Sequence, residues 1–217
     1  CAAYWQPFEG MDPEAIRAHM LDLVRDFPFE DDASRDNFFG LLLTPMLRPL
    51  VGKVPLHLVT SPQAGTGKSR LIEDTLGCTY RGKPLPSNAL PERQEEREKW
   101  MIALLLSGAT LLHLDNLPPD LDSCGLSSLL TSDEQQGRVL GTSAMPELAN
   151  TLTIAASGNN THLSSELTRR TIVVRLNWRG QCRPEDRSDF AHPSTRDYAL
   201  AQRRRTLACL AGAVAVW

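Results

Sequence analysis

Three groups of residues in this sequence have the types and the order to handle a polyphosphate. The first is Ser61-Pro62-Gln63-Ala64-Gly65-Thr66-Gly67-Lys68-Ser69. Its second half completes the pattern G-x-x-x-x-G-K-[ST], in which backbone N–H groups cradle phosphate oxygens. Gly65 and Gly67 let the main chain come close to an anion, where a side chain would obstruct it. The expected contacts run from Pro62 through Gln63, Ala64, Gly65, Thr66, Gly67, Lys68 and Ser69 to Arg70. Lys68 is expected on the β- and γ-phosphates of ATP, and the Ser69 hydroxyl on Mg²⁺. Pro62 stands where the pattern has its first glycine. The cradle is formed by the later loop and the helix start, so this substitution is tolerated.

The second group is Asp115, at the end of the apolar run 110–115 (TLLHLD). A buried strand would release this carboxylate at its carboxyl end, where ligands sit in parallel sheets, and there it would share the metal with Ser69. Taken alone, the same residue also reads as a strand-end capping Asp. Asn116 follows it, at a position where many ATPases of this kind carry an acid that activates water. An amide cannot accept that proton. Glu73, Asp133 and Glu134 are candidate substitutes, and the sequence positions none of them.

The third group follows the run 152–157 (LTIAAS). Asn159 and Asn160 could orient a water or touch a terminal phosphate, although an Asn-Asn pair also builds turns. Arg169 and Arg170 then precede the run 171–176 (TIVVRL). A guanidinium there could project from one subunit onto the terminal phosphate held by the next and stabilise transition-state charge. The plainer reading is a solvated pair favoured by a helix C-terminal dipole.

These groups need elements to hold them. Asp12-Pro13-Glu14 is a helix-start signal ahead of Ile16, Met20, Leu21 and Val24. A second helix carries Phe38, Phe39, Leu42 and Leu43, with Pro45 and Pro49 interrupting it late. Residues 55–60 (PLHLVT) read as a strand, residues 68–76 as a helix, residues 81–91 as a proline-rich loop and residues 92–106 as a long helix. Strands follow at 110–114, 152–157 and 171–176, with a helix at 121–130 and a short extended piece at 138–140. Alternating strands and helices predict an α/β fold with a mostly parallel sheet between helical layers. The domain reading is an N-terminal linker with helices over 1–50, a nucleotide-binding core over 51–178 and the start of a helical extension over 179–217. The chain opens on Cys1 and closes inside an apolar run, so a piece of a longer protein is expected.

Composition narrows the function classes. With 41% hydrophobic and 23% charged residues in a chain of 217, a sizeable buried core is expected. A formal net charge of −3 excludes a surface that is basic throughout, so any nucleic-acid contact must be a local patch. Five scattered cysteines without C-x-x-C spacing argue against a structural zinc site or a disulfide framework and for a reducing compartment. No apolar run is long enough to cross a bilayer, and no membrane partner is expected. Arg203-Arg204-Arg205 is a charge run of the kind that usually forms a solvated face.

Lys68, Asp115, Asn160 and Arg170, in that order and approximate spacing, resemble the AAA+ ATPases over roughly residues 12–178. The strings Gly65-Thr66-Gly67-Lys68-Ser69, Leu114-Asp115-Asn116, Ser157-Gly158-Asn159-Asn160 and Leu167-Thr168-Arg169-Arg170 are similar to those of helicase-like domains in replication proteins of phages, plasmids and integrated elements. These domains are related to superfamily 3 and MCM helicases and are often joined to a primase module. The resemblance implies a three-layer α-β-α P-loop core preceded by N-terminal helices, and ATP hydrolysis with Mg²⁺. It also implies a homo-oligomeric ring, expected to be a hexamer, that moves on single-stranded or forked DNA in the cytoplasm of a bacterial or phage-infected cell. It makes Asn160 the sensor that faces the terminal phosphate, with Asn159 second, and Arg170 or Arg169 the arginine finger. It places a DNA-contacting hairpin within residues 136–150, with Arg138 as the candidate contact. Pro62, Asn116 and the lack of a recognisable sensor-2 arginine after Trp178 depart from the family pattern. A remodelling or loading ATPase acting on proteins and a low-turnover assembly switch are the alternative functions.

Overall fold

The structure is a computed structural model that describes residues 12–137 and 146–216. The extended piece expected at 138–140 and the proposed DNA contact Arg138 lie outside the described residues. Helix α1 (Pro13–Leu23) starts as the sequence predicts: Asp12 accepts a hydrogen bond from the Glu14 amide at 3.2 Å, and Pro13 takes the first turn. Helix α2 (Asp32–Val51) is capped by Asp31, which accepts from the Ser34 amide at 2.7 Å.

The prolines at 45 and 49 do not stop α2, contrary to the sequence reading. The helix continues to Val51 and ends at Gly52, whose φ of 72° and N–H bond to the Arg48 carbonyl close it. Each interior proline removes a helix hydrogen bond and costs about 3 kcal/mol. Tertiary contacts offset that cost. Phe38, Leu41 and Leu42 are fully buried on one side, and buried Arg48 donates to the carbonyls of Leu152 at 3.3 Å and Asn150 at 2.6 Å.

Five parallel strands form the central sheet: β1 (Leu56–Ser61), β2 (Ser87–Asn88), β3 (Leu111–Leu117), β7 (Thr153–Asn159) and β9 (Thr171–Arg175), in the order β2-β3-β7-β1-β9. The short edge strand β2 lies inside the stretch expected to be only loop. Its two residues pair with His113 and Leu114, too few to leave a periodic signal. After β1 the chain enters α3 (Lys68–Arg70), a π-helical segment Leu71–Gly77 and α4 (Cys78–Arg81), one helical run longer than the sequence predicts. The remaining helices are α5 (Gln94–Leu106), α6 (Cys124–Thr131), α7 (Ser165–Thr168), α8 (Thr195–Ala201) and α9 (Arg203–Val216). Strand β4 (Asp120–Leu121) takes the first residue of the helix expected at 121–130, and Ser123 caps α6 by accepting from the Leu126 amide.

Helices cover both faces, giving the expected three layers. One core cluster joins α1, α2, the helical run after β1 and α9, with Phe38, Leu71, Leu76 and Leu210 among its buried members. The other joins α5 and α6 to the sheet through Met101, Leu105, Leu126 and Leu129. The C-terminal helices therefore share a core with α1. Arg203 is spent on this packing, donating to the carbonyls of Thr79 and Tyr80. Two smaller ladders complete the fold: β4 with β8 (His162–Leu163), parallel, and β5 (Glu134–Gln136) with β6 (Glu147–Ala149), antiparallel. Among the described residues no helix is long and apolar enough to cross a membrane.

Candidate functional site

Because all five strands run the same way, β1, β3 and β7 bring their carboxyl ends to one edge of the sheet. Ser61 there pairs in register with Asn159, and the glycine loop leaves directly from it. Gly65 and Gly67 hold φ values of 74° and 89°, the left-handed region that favours glycine. The loop then turns into α3 at Lys68. Lys68 is 9% exposed and its Nζ donates to the Gln63 carbonyl at 3.2 Å, so the loop itself holds the ammonium. Burial lowers its pKa, and the charge of Asp115 pulls the other way.

The two residues expected to share a metal do meet. Ser69 Oγ donates to Asp115 Oδ1 at 2.8 Å. Burial would raise the Asp115 carboxyl's pKa, but hydrogen bonds from Ser157 and Ser69, with the His113 charge and the Asn116 amide, hold it below the ordinary value. An ionised carboxylate beside a hydroxyl is a hard oxygen pair that suits Mg²⁺, which commonly takes a few protein oxygens and completes its shell with phosphates and water. The ladder between β3 and β7 is irregular between Leu114 and Leu117, and Asn116 within it has φ 55°. Such an irregularity re-aims side chains at a strand end.

Beneath Asp115 lies a polar network inside otherwise apolar strands. Ser157 donates to Asp115 and lies 3.1 Å from His113 Nε2. His113 is fully buried, and burial pushes its pKa down to about 4. Its Nδ1 has no hydrogen-bond partner and faces Glu73 Oε1 at 3.6 Å. Burial, then the charges of Asp115 and Asp74, raise the Glu73 pKa. Sequence reasoning missed Ser157 and His113. The available signal was a polar residue two positions from a functional one, on the same strand face.

The structure sorts the candidates for the missing base. Glu73 is at the site, one helical turn beyond Ser69, with its carboxylate facing His113, whose other ring nitrogen lies 3.9 Å from Asp115. Asp133 pairs with Lys53 at 3.4 Å, and its carbonyl accepts from the Asn150 amide, which puts it at the amino edge of the sheet. Glu134 follows it there on β5, facing β6. Neither Asp133 nor Glu134 is brought to the glycine loop.

Asn159 ends β7, and strand alternation puts it on the face of Ser157. Asn160 leaves the strand with φ 48°, and both asparagines are exposed. Arg169 is the C-cap of α7 and Arg170 follows it, directly before β9. The Arg170 carbonyl accepts from the Leu56 amide, so the pair sits at the amino end of β1, about 17 Å of strand from the glycine loop at ~3.3 Å per residue. Arg170 is turned back on its own helix, donating to the Glu166 carbonyl at 2.7 Å and pairing with its carboxylate at 3.1 Å. The Arg169 side chain is 74% exposed, with Glu166 at 4.0 Å.

A cavity of about 530 Å³ opens over the loop, lined by Gly65 to Arg70 on one side. Its other wall is Phe27 with a strap that runs from β9 to α8 and contributes Trp178, Glu185, Arg187 and Phe190. Arg187 lies over the Trp178 ring at 4.3 Å and the Phe190 ring at 4.7 Å, a cation held between two aromatic faces. Asp26 ties the strap down: its two carboxylate oxygens accept from the amides of Ala191 and His192 at 2.8 Å. No periodic or motif signal marks these wall residues in the sequence. The sequence offers no recognisable sensor-2 arginine after Trp178, and Arg196 beyond the strap donates to Asp74 at 3.0 Å.

No protein-family model and no curated protein matches the chain. Among solved structures it is similar to the A-form apo structure of the C-terminal region of NrS-1, residues 305–718, with a TM-score of 0.56 and 14% identity. The match covers 92% of this chain and 45% of that one, so the chain spans less than half of the NrS-1 region. At this identity the likeness speaks for the fold alone.

Proposed function

We propose that this chain is a Mg²⁺-dependent ATPase domain of the AAA+ type, serving as the motor of a ring that moves on DNA. The observation that carries the reading is the 2.8 Å contact between Ser69 and Asp115, directly below a glycine loop with a buried lysine. In this reading the loop amides and Lys68 hold the β- and γ-phosphates. Ser69 and Asp115 would hold Mg²⁺, which would offset the negative charge of the phosphates. Ser157 and His113 keep the carboxylate aimed and ionised. Asn159 orients the attacking water, favoured over Asn160 because it stays on the strand face that carries Ser157. Phe27, Trp178 and Phe190 supply the apolar wall for the base.

Arginine acts between copies. The amino edge of the sheet is too far from its own loop for a side chain to span, so a guanidinium at 169 or 170 can serve only a neighbouring site. Arg169 is the better placed of the two because it is extended and exposed. With an amide at 116 and the Glu73 carboxylate turned to His113, hydrolysis by one chain alone is slow in this reading, and assembly supplies what is missing. The motor reading itself rests on the motif resemblance. Its test is ATP turnover by the assembled protein with and without single-stranded or forked DNA, and strand displacement lost in Lys68→Ala. Turnover that ignores nucleic acid across a wide salt range would reject the DNA motor.

One observation favours the second reading, a remodelling ATPase with protein partners. The described arms of the β5–β6 hairpin carry Asp133, Glu134 and Glu147, and no lysine or arginine among described residues 132–137 and 146–150. Acidic arms of this kind repel a phosphate backbone. Capture of a protein that is released on ATP hydrolysis, with no DNA retained, would select this reading.

A further inference from the structure

The strap touches the glycine loop with an acid. A Cβ built on Gly65 would lie 2.9 Å from Glu185 Oε2 and 3.3 Å from both Glu185 Cβ and its backbone N. Glu185 thus sits against the loop in both side chain and main chain, in a single turn of 3₁₀ helix (Pro184–Asp186). Its carboxylate also lines the cavity shared with Lys68 and Ser69. A loop built to receive a triphosphate is therefore in contact with a like charge. Arg183 pairs with Glu185 at 3.1 Å and with Asp186 at 2.9 Å, so one guanidinium is shared between two carboxylates.

We propose that Glu185 is an anionic gate on the phosphate loop: a nucleotide must displace the Pro184–Asp186 turn to bind, and this displacement couples occupancy to the strap. The inference rests on the nucleotide-binding reading of the loop and goes beyond it. The strap is suited to such coupling. Arg187 Nη1 donates to the Asp26 carbonyl at 2.8 Å, and the 191–192 amides are fixed on the Asp26 carboxylate. The turn therefore lies between the end of β9 and a fixed point ahead of α8. Its movement is directed onto the Arg187 sandwich with Trp178 and Phe190, which form the opposite wall of the cavity.

The charge and the bulk of the gate separate experimentally. Glu185→Gln keeps the shape and removes the charge, and the residue is half-exposed, so the fold should tolerate the change. Mg·ADP affinity is measured by calorimetry on the full chain, wild type and variant, at low and high salt. The expected result is a Kd lower in Glu185→Gln by about 3- to 10-fold at low salt, with the gain shrinking at high salt. Equal affinity, or weaker binding by the variant, overturns the gate. Weaker binding would make Glu185 a ligand of the sugar instead. If neither wild type nor variant binds Mg·ADP while both are folded by circular dichroism, the nucleotide reading itself fails, and the gate with it.

Discussion

Mixing two inactive variants tests whether the arginine acts across an interface. Lys68→Ala destroys the phosphate site and leaves the arginine pair. Arg169→Ala does the reverse. Because residues 169–170 stand at the amino end of β1, about 17 Å of strand from the loop at its carboxyl end, one chain cannot complement itself. Loss of a trans arginine costs about 10³–10⁵ in rate, so each variant alone should be almost silent. In an equimolar mixed ring, an interface is productive when the Arg169→Ala chain presents the loop and the Lys68→Ala chain presents the finger. Random assembly through a head-to-tail interface makes about one interface in four productive, whatever the ring size. The assay is steady-state ATP turnover against mixing ratio, with the maximum near equal amounts and about a quarter of wild-type activity if interfaces fire independently. Native mass spectrometry confirms mixing. Arg170→Ala run in parallel should complement less steeply, since Arg170 is held by Glu166. Mixed rings no more active than the variants alone would refute an interface role for this pair. Substantial activity in unmixed Arg169→Ala together with unmixed Arg170→Ala would do the same.

Two further outcomes follow from the buried polar groups. Ser157→Ala removes a donor that helps keep Asp115 aimed and ionised, so the Mg²⁺ concentration for half-maximal turnover should rise about 10-fold with the fold intact; an unchanged Mg²⁺ requirement would dissociate Ser157 from the metal. His57 is 1% exposed with Nδ1 unpartnered, and burial lowers its pKa from 6.5 to about 4. Its folded pKa lies below its unfolded value, so its stabilising effect is complete above pH 6.5 and is lost as pH falls towards 4. Over the interval from pH 7 to pH 4.5 that loss amounts to about 2 kcal/mol from this residue, measured as a drop in urea stability that a His57→Leu variant lacks; identical pH slopes would exclude it.

The site and the sheet were legible in the sequence to different depths. Gly65 to Ser69 was readable because its chemistry is local: φ values, amides and one lysine within a few residues of each other. Strands β1, β3 and β7 were readable because strands covered on both faces are largely apolar, and β9, half-buried at the sheet edge, because Ile172, Val173 and Val174 are β-branched. The N-cap of α1 is likewise a matter of adjacent residues. By contrast, α2 running through Pro45 and Pro49 depends on what Arg48 meets at Leu152 and Asn150, more than a hundred residues away.

What the sequence determined alone was the set of groups that could bind phosphate and metal, since residue type and short spacing suffice for that. What only the tertiary structure decided was which of them share a place. Parallel pairing put Ser69, Asp115 and Ser157 on one edge, set Glu73 against His113 and carried Asp133, Glu134 and the arginine pair to the opposite end. It also laid Glu185 on the loop, a contact no periodicity announces. The reason is geometric: a strand's direction and neighbours fix where its ends lie, and those depend on contacts between segments far apart in the chain.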